Sequence, residues 1–90
     1  MATYQDIIEL VGKREMGILG RQKTKAVFRE IGLEIGEDGS VSGYPVDLNA
    51  LDTLMNLLND KYGPVPVMGC KIAVLRLARK GGLEPPAILK

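Results

Sequence analysis

The sequence predicts a mainly α-helical fold, a single domain over residues 1–90 that forms a compact bundle of about four helices with a short β-hairpin or loop between helices 2 and 3. Two observations predict it: apolar residues recur three and four positions apart in four segments, and glycine or proline separates those segments. Ninety residues are enough for one modest core. The hydrophobic share of 46% and the charged share of 26% are typical of a chain that folds.

The first part of the chain predicts two helices. Thr3 is a typical helix N-cap, and the apolar periodicity that follows predicts a helix over about 4–14. Glycines predict a bend or break near 17–20, since each costs about 1 kcal/mol relative to alanine inside a helix. A second helix is predicted over about 21–31, and it ends at Gly32, whose freedom in φ suits a C-terminal cap.

The middle of the chain predicts a hairpin followed by a third helix. Residues 33–44 alternate between apolar and polar side chains and then turn through glycine, which is typical of a short hairpin or an irregular turn lying against helices. Asp47 is a typical N-cap for a helix over about 48–61, the segment with the longest apolar stripe. Gly63 and the two prolines after it end this helix and lead into the next one.

The last helix is predicted over 67–79, as one continuous segment whose apolar residues cover most of its circumference. Such a helix is expected at the centre of the core, or with one side against a second subunit. Gly81 and Gly82 end it, and Pro85 and Pro86 make the remaining tail extended. The possible interface residues are Val67, Met68, Val74, Leu75 and Leu77.

The residue types exclude several classes of function. The chain has no histidine, so it lacks the commonest general base and the commonest catalytic metal ligand, and no catalytic, cofactor-binding or metal-binding residue is predicted. Cys70 is the only cysteine, which rules out an internal disulfide and favours an inert buried thiol. No apolar stretch approaches the ~20 residues that span a bilayer, and the N-terminus does not resemble a signal peptide. A cytoplasmic protein that is not an enzyme is expected.

The charges are sorted along the chain, although the net charge is only +1. Residues 13–29 hold six basic side chains and one acidic one, and residues 61–90 hold the same numbers. Residues 30–60, between them, hold seven acidic side chains and no basic one. Either the folded surface has opposed charged patches that attract a partner, or the segments meet as solvated ion pairs worth ~0–1 kcal/mol each.

The segment Gly17-Ile18-Leu19-Gly20 forms a G-x-x-G motif between the first two predicted helices. With the hairpin and the helix that come next, this order resembles the minimal part of a KH nucleic-acid-binding domain over roughly residues 4–61, and the resemblance implies a loop that holds phosphates. The chain departs from that family because no strand is evident before the first helix and apolar residues stand between the two glycines. The possible nucleic-acid-binding residues are Lys13, Arg14, Gly17, Gly20, Arg21, Lys23, Lys25 and Arg29.

The sequence favours a non-enzymatic function in protein–protein contacts, as a small interaction or regulatory module that associates with itself or docks on another protein. The excess of apolar residues in the last helix motivates this hypothesis, because a chain of this size cannot easily surround such a helix. The alternative is a nucleic-acid-binding domain that uses the basic segment 13–29 and the G-x-x-G motif. A third possibility is a small-molecule enzyme that uses carboxylates or lysine, but no specific residue indicates it.

Overall fold

The computed structural model describes residues 1–90 and confirms a mainly helical fold with a short antiparallel hairpin between helices 2 and 3. Every element contributes to one cluster of buried apolar side chains. In chain order the elements are α1 (Tyr4–Ile18), α2 (Arg21–Glu30), β1 (Leu33–Ile35), β2 (Val41–Gly43), α3 (Leu48–Tyr62), α4 (Pro64–Met68), α5 (Lys71–Gly81) and a 3₁₀ turn (Ala87–Leu89).

Helix α1 begins where the sequence predicts and extends one turn further than expected, to Ile18. Thr3 and Asp6 form a capping box: the Asp6 N–H donates to Thr3 Oγ1 at 3.2 Å, and the Thr3 N–H donates to Asp6 Oδ2 at 2.9 Å. The helix continues through Gly17 because its last turn packs against Gly69. This tertiary contact outweighs the ~1 kcal/mol that a glycine costs inside a helix.

The hairpin is stable because α1 holds it. Its strands have three residues each, with Ile35 opposite Val41, and strands this short are not stable alone. The Val41 N–H donates to Glu9 Oε2 at 2.9 Å, and Gln5 Nε2 donates to the Val41 carbonyl oxygen at 2.8 Å. Gly12 of α1 leaves room for Ile35, since a Cβ at that position would overlap Ile35 Cδ1.

Helix α3 confirms the third predicted helix and adds one residue to its end. Its N-cap, Asp47, accepts a hydrogen bond from the Ala50 N–H at 2.9 Å. It ends at Gly63, whose φ of +77° is a conformation that glycine adopts freely. The buried residues of α3 are Ala50, Leu51, Leu54, Met55 and Leu58.

The substitution Asp47→Ala is expected to lower the free energy of unfolding by about 1 kcal/mol, because the N-cap acceptor of α3 is lost. Asp60→Ala is the matched control, since Asp60 is exposed in the last turn of the same helix, where the dipole disfavours a negative charge. Urea denaturation of both variants gives the comparison. Equal losses of stability would argue against the capping role.

The prediction of one continuous helix over 67–79 is wrong. The chain forms α4 and α5 instead, with Gly69 and Cys70 between them. The Cys70 N–H donates to the Val67 carbonyl oxygen, three residues back, at 3.3 Å, so the backbone leaves α-helical geometry there. Glycine, which costs about 1 kcal/mol inside a helix, stands at this break, and the absence of a Cβ at Gly69 leaves room for Ile18 Cδ1 of α1.

Helix α5 is also not the central helix of the core, which corrects the second expectation for this segment. Only Val74 and Ala78 of α5 are buried, whereas α1 and α3 each bury five residues. Gly82, with φ of +62°, ends α5 as predicted. The tail is extended at Pro86 and then turns, so that Leu89 joins the core.

Candidate functional surface

The G-x-x-G motif lies at the junction of the first two helices. Gly17 lies inside α1, and only Leu19 and Gly20 separate α1 from α2. Gly20 is the N-cap of α2, with a φ of +91° that favours glycine. No strand precedes α1, and the sheet has only the two strands of the hairpin. The motif is therefore a tight connection between α1 and α2.

An acidic side chain of the hairpin neutralises part of the basic segment. Glu37 Oε1 accepts a hydrogen bond from Lys25 Nζ at 2.8 Å, and Glu37 Oε2 lies 3.1 Å from Arg21 Nη1. The pKa of the Glu37 carboxyl is lowered, mostly by the hydrogen bond from Lys25 and further by the positive charges of Lys25 and Arg21. Lys23 Nζ lies 5.6 Å from the centre of the Tyr62 ring, within range of a cation–π interaction. The charge segments therefore interleave on this side of the molecule.

The remaining predicted nucleic-acid-binding cations are spread along α1 and α2. The Lys13 side chain lies against Gly39 in the hairpin turn. Arg14 is exposed on α1. Arg29 lines a cleft of about 220 Å³ between α2 and β1, and Glu34 lines the same cleft. Acidic side chains thus accompany several of the cations that the sequence singled out.

Two of the five predicted interface residues belong to the core, which corrects their assignment. Val67 is 5% exposed and Val74 is fully buried, because the faces of α4 and α5 to which they belong pack inward. Leu75 and Leu77 are half-buried, and Met68 is exposed. The large apolar residues that this segment exposes are therefore Met68, which the sequence predicted, and Ile72, which it did not.

An apolar patch covers the outer side of α4 and the start of α5, and we define it as Ile18, Val65, Met68 and Ile72. The last three are 65%, 68% and 70% exposed, and Ile18 is 42% exposed. The Ile18 side chain lies over Gly69, in the middle of this stretch, which brings the end of α1 to the patch. Sequence reasoning missed Val65, although the prolines on both sides of it favour an early helix start.

Helix α5 borders an open hollow with two apolar and two basic lining residues, which we call the cationic groove. It has a volume of about 230 Å³ and is lined by Ile72, Leu75, Arg76 and Arg79. A second hollow, of about 200 Å³, lies on the other side of Arg76 and is bordered by Leu10 of α1. None of the ion pairs in the structure involves a cation of α5. The arginines of this face are therefore free to meet an external anion.

Glu15 is a buried acid that sequence reasoning missed. Its side chain is fully buried, and neither carboxyl oxygen has a hydrogen-bond partner. Burial raises the pKa of this carboxyl to about 7, and the neighbouring Cys70 thiol lowers it to a lesser extent. Glu15 follows Ile7 and Val11 at helical spacing on the buried face of α1, which is the signal that could have found it.

Cys70 is a buried free thiol at the junction of α4 and α5. Its Sγ lies 3.5 Å from the carbonyl oxygens of Pro66 and Val67 and donates to them. Burial, together with the adjacent Glu15 carboxyl, raises the pKa of the thiol to about 12. The thiol therefore stays protonated near neutral pH, in the form that is a poor nucleophile and a poor metal ligand.

The structure contains no group of three or more His, Cys, Asp or Glu side chains that could hold a metal ion. None of the helices combines the length and the apolarity that crossing a membrane requires. No family model, no curated protein and no solved structure matches the chain.

Proposed function

We propose that this chain is a small, non-enzymatic interaction module of the cytoplasm that acts through protein–protein contacts and associates with itself through the apolar patch. The observation behind the proposal is the joint exposure of Val65, Met68 and Ile72 within residues 65–72. Large apolar side chains that are exposed together mark contact surfaces in soluble proteins. The buried core contains enough apolar residues from every element to fold without them.

A second copy of the chain suits the apolar patch because the patch has no charge. In a two-fold symmetric contact the same surface meets itself, so each side chain must tolerate its own copy. Uncharged apolar side chains meet this condition. The patch consists of four residues, so we expect a weak association at the low end of interface sizes, visible as a mass that rises with protein concentration.

The chemistry of the surface supports a non-enzymatic function. Glu15 and Cys70, the two groups whose pKa values are most strongly raised, are buried away from any substrate. The two hollows on α5 are lined by apolar, arginine and lysine side chains, with no carboxylate or hydroxyl among them. The cleft between α2 and β1 does hold the Glu34 carboxylate, but its lysine, Lys25, is paired with Glu37. Neither hollow therefore offers the pair of proton-transferring groups that general acid–base catalysis uses.

The double substitution Val65→Ser with Met68→Ser is expected to abolish self-association, because it removes two of the three most exposed apolar side chains of the patch. Sedimentation equilibrium from the low micromolar to the millimolar range measures it: the mass of the native chain rises with concentration, and that of the variant stays at the monomer value. Tyr44→Ser is the control, since Tyr44 is 86% exposed but lies beside the hairpin. A native chain that remains monomeric over the whole range would refute self-association.

Nucleic-acid binding is the second candidate and has less support. Exposed cations such as Arg14 and Arg29 are available for phosphates, but Glu37 already pairs with Arg21 and Lys25 in the middle of the basic segment. Titration with RNA and with single- and double-stranded DNA at low salt tests this candidate. Binding that falls steeply with salt and weakens in Arg29→Ser would favour it, and the absence of binding would remove it.

A further inference from the structure

We infer that the cationic groove of α5 binds an acidic amphipathic helix of a different protein. This interaction goes beyond the proposed self-association, which uses the apolar patch. The two surfaces meet at Ile72 and otherwise consist of different residues. Substitutions on each surface can therefore separate the two interactions.

The cationic groove combines two kinds of contact on one helix face. Ile72 and Leu75 lie three residues apart, as do Arg76 and Arg79, so all four share about two turns of α5. Two of the lining residues are apolar and two are arginines, and we call the apolar pair the floor of the groove. A helix that binds there places apolar side chains at three- and four-residue spacing on the floor and carboxylates against the arginines, which can receive them in a two-pronged hydrogen bond.

The fold leaves the charge of α5 uncompensated. Lys71, Arg76, Arg79 and Lys80 are all exposed, α5 contains no acidic residue, and the ion pairs of the structure all lie on other elements. The helix dipole stabilises the positive charges near the C-terminus of α5. Lys71 lies at the N-terminus of the helix, where the dipole does not stabilise a positive charge. A partner of opposite charge would be attracted to this face and held in register by it.

A second copy of the chain does not supply that partner. Two copies that met through α5 would bring arginines against arginines, which is unfavourable. The acidic side chains of the chain are mostly engaged within the fold. Glu30, Glu37 and Glu84 form ion pairs, and Asp6, Glu9, Asp38, Asp47 and Asp52 accept hydrogen bonds. Only Glu34 and Asp60 remain unpaired on the surface, and they lie on separate elements.

The apolar floor favours a protein helix over a nucleic acid. Phosphate contacts need cations and hydrogen-bond donors, and they gain nothing from Ile72 and Leu75. An amphipathic helix uses both parts of the groove, since its apolar side chains bury the floor while its carboxylates pair with the arginines. The partner is therefore a segment with apolar residues at helical spacing and Asp or Glu beside them.

Selection from a random peptide library displayed on phage, with the full chain as the immobilised target, tests this inference without a known partner. A double variant, Arg76→Ser with Arg79→Ser, serves as the counter-selection target. The expected result is enrichment of peptides with net negative charge and apolar residues three and four apart. Fluorescence anisotropy of the enriched peptides should show affinity that falls at least about tenfold in the double variant and also falls with added salt.

The control is Arg21→Ser with Arg29→Ser, which removes the same charge from α2 and should leave peptide affinity unchanged. The patch variant Val65→Ser with Met68→Ser should also keep its peptide affinity while it loses self-association, so that the two proposals fail or succeed separately. Circular dichroism confirms that each variant is folded. Selected peptides without excess acid, or acidic peptides that bind the α5 and α2 variants equally, would overturn the inference.

Discussion

Glu15→Gln is expected to raise the free energy of unfolding by on the order of 3 kcal/mol at about pH 8 and to leave it nearly unchanged at about pH 4. The carboxyl is fully buried without a hydrogen-bond partner, and burial raises its pKa from 4.5 to about 7. The folded chain therefore keeps a proton that the unfolded chain has already released. Glutamine has nearly the same shape and stays neutral at every pH, so it removes the cost of burying the charge.

The direction of the pH dependence follows from the raised pKa of Glu15. The folded chain holds the Glu15 proton more tightly than the unfolded chain does. The stability that this proton contributes is therefore fully present below pH 4.5, the pKa of Glu15 in the unfolded chain, and is lost as the pH rises towards about 7. Above that value the carboxyl is ionised in both states, and the loss is complete. The stability of the native chain should therefore decline across this window, while that of Glu15→Gln should not.

Urea denaturation of the native chain, Glu15→Gln and Glu34→Gln between these pH values measures the effect. Glu34 is an exposed glutamate of the hairpin, so the Glu34→Gln variant should follow the stability–pH curve of the native chain. Parallel curves for all three proteins would mean that the Glu15 carboxyl does not ionise in a buried environment. The placement of Glu15 beside Cys70 would then need revision.

Phe28→Ala is expected to lower the free energy of unfolding by about 3–5 kcal/mol, because it leaves a cavity in the middle of the core. Phe28 is the only phenylalanine and is fully buried. Its ring lies against Gly12, with Cζ only 3.1 Å from where a Cβ of that residue would stand, so it joins α2 directly to the backbone of α1. The free energy of unfolding of a small domain is typically about 5–15 kcal/mol, so the Phe28→Ala variant would retain little stability.

The control for Phe28→Ala is Tyr44→Ala, which removes an aromatic ring that is 86% exposed. Its effect should stay within about 0.5 kcal/mol, as for other surface substitutions. Chemical denaturation followed by circular dichroism compares the two variants. Similar losses for both would contradict the central position of Phe28.

The predicted sites depended on their tertiary environment to different degrees. The sequence could not tell exposed Met68 from buried Val67 and Val74, because a helix with apolar residues on most sides does not indicate which side is covered. The basic segment was evident in the sequence, whereas its partial neutralisation depended on Glu37, which reaches Arg21 and Lys25 only through the hairpin.

The sequence by itself determined the helical class and the first residues of α1, α2 and α3, whereas residues 33–44 were left open as a hairpin or a loop until contacts with α1 decided it. The helical class and these helix boundaries depend on local chemistry: the N-caps Thr3 and Asp47, the glycine after α3 and the apolar periodicity act over about four residues, which is the range of a helical hydrogen bond. Helical spacing places Glu15 on the buried face of α1, but only tertiary structure brings it beside Cys70. Glycine at position 69 favours a break between α4 and α5, but only tertiary structure places Ile18 over it. Both contacts join residues far apart in the chain, which local periodicity does not encode.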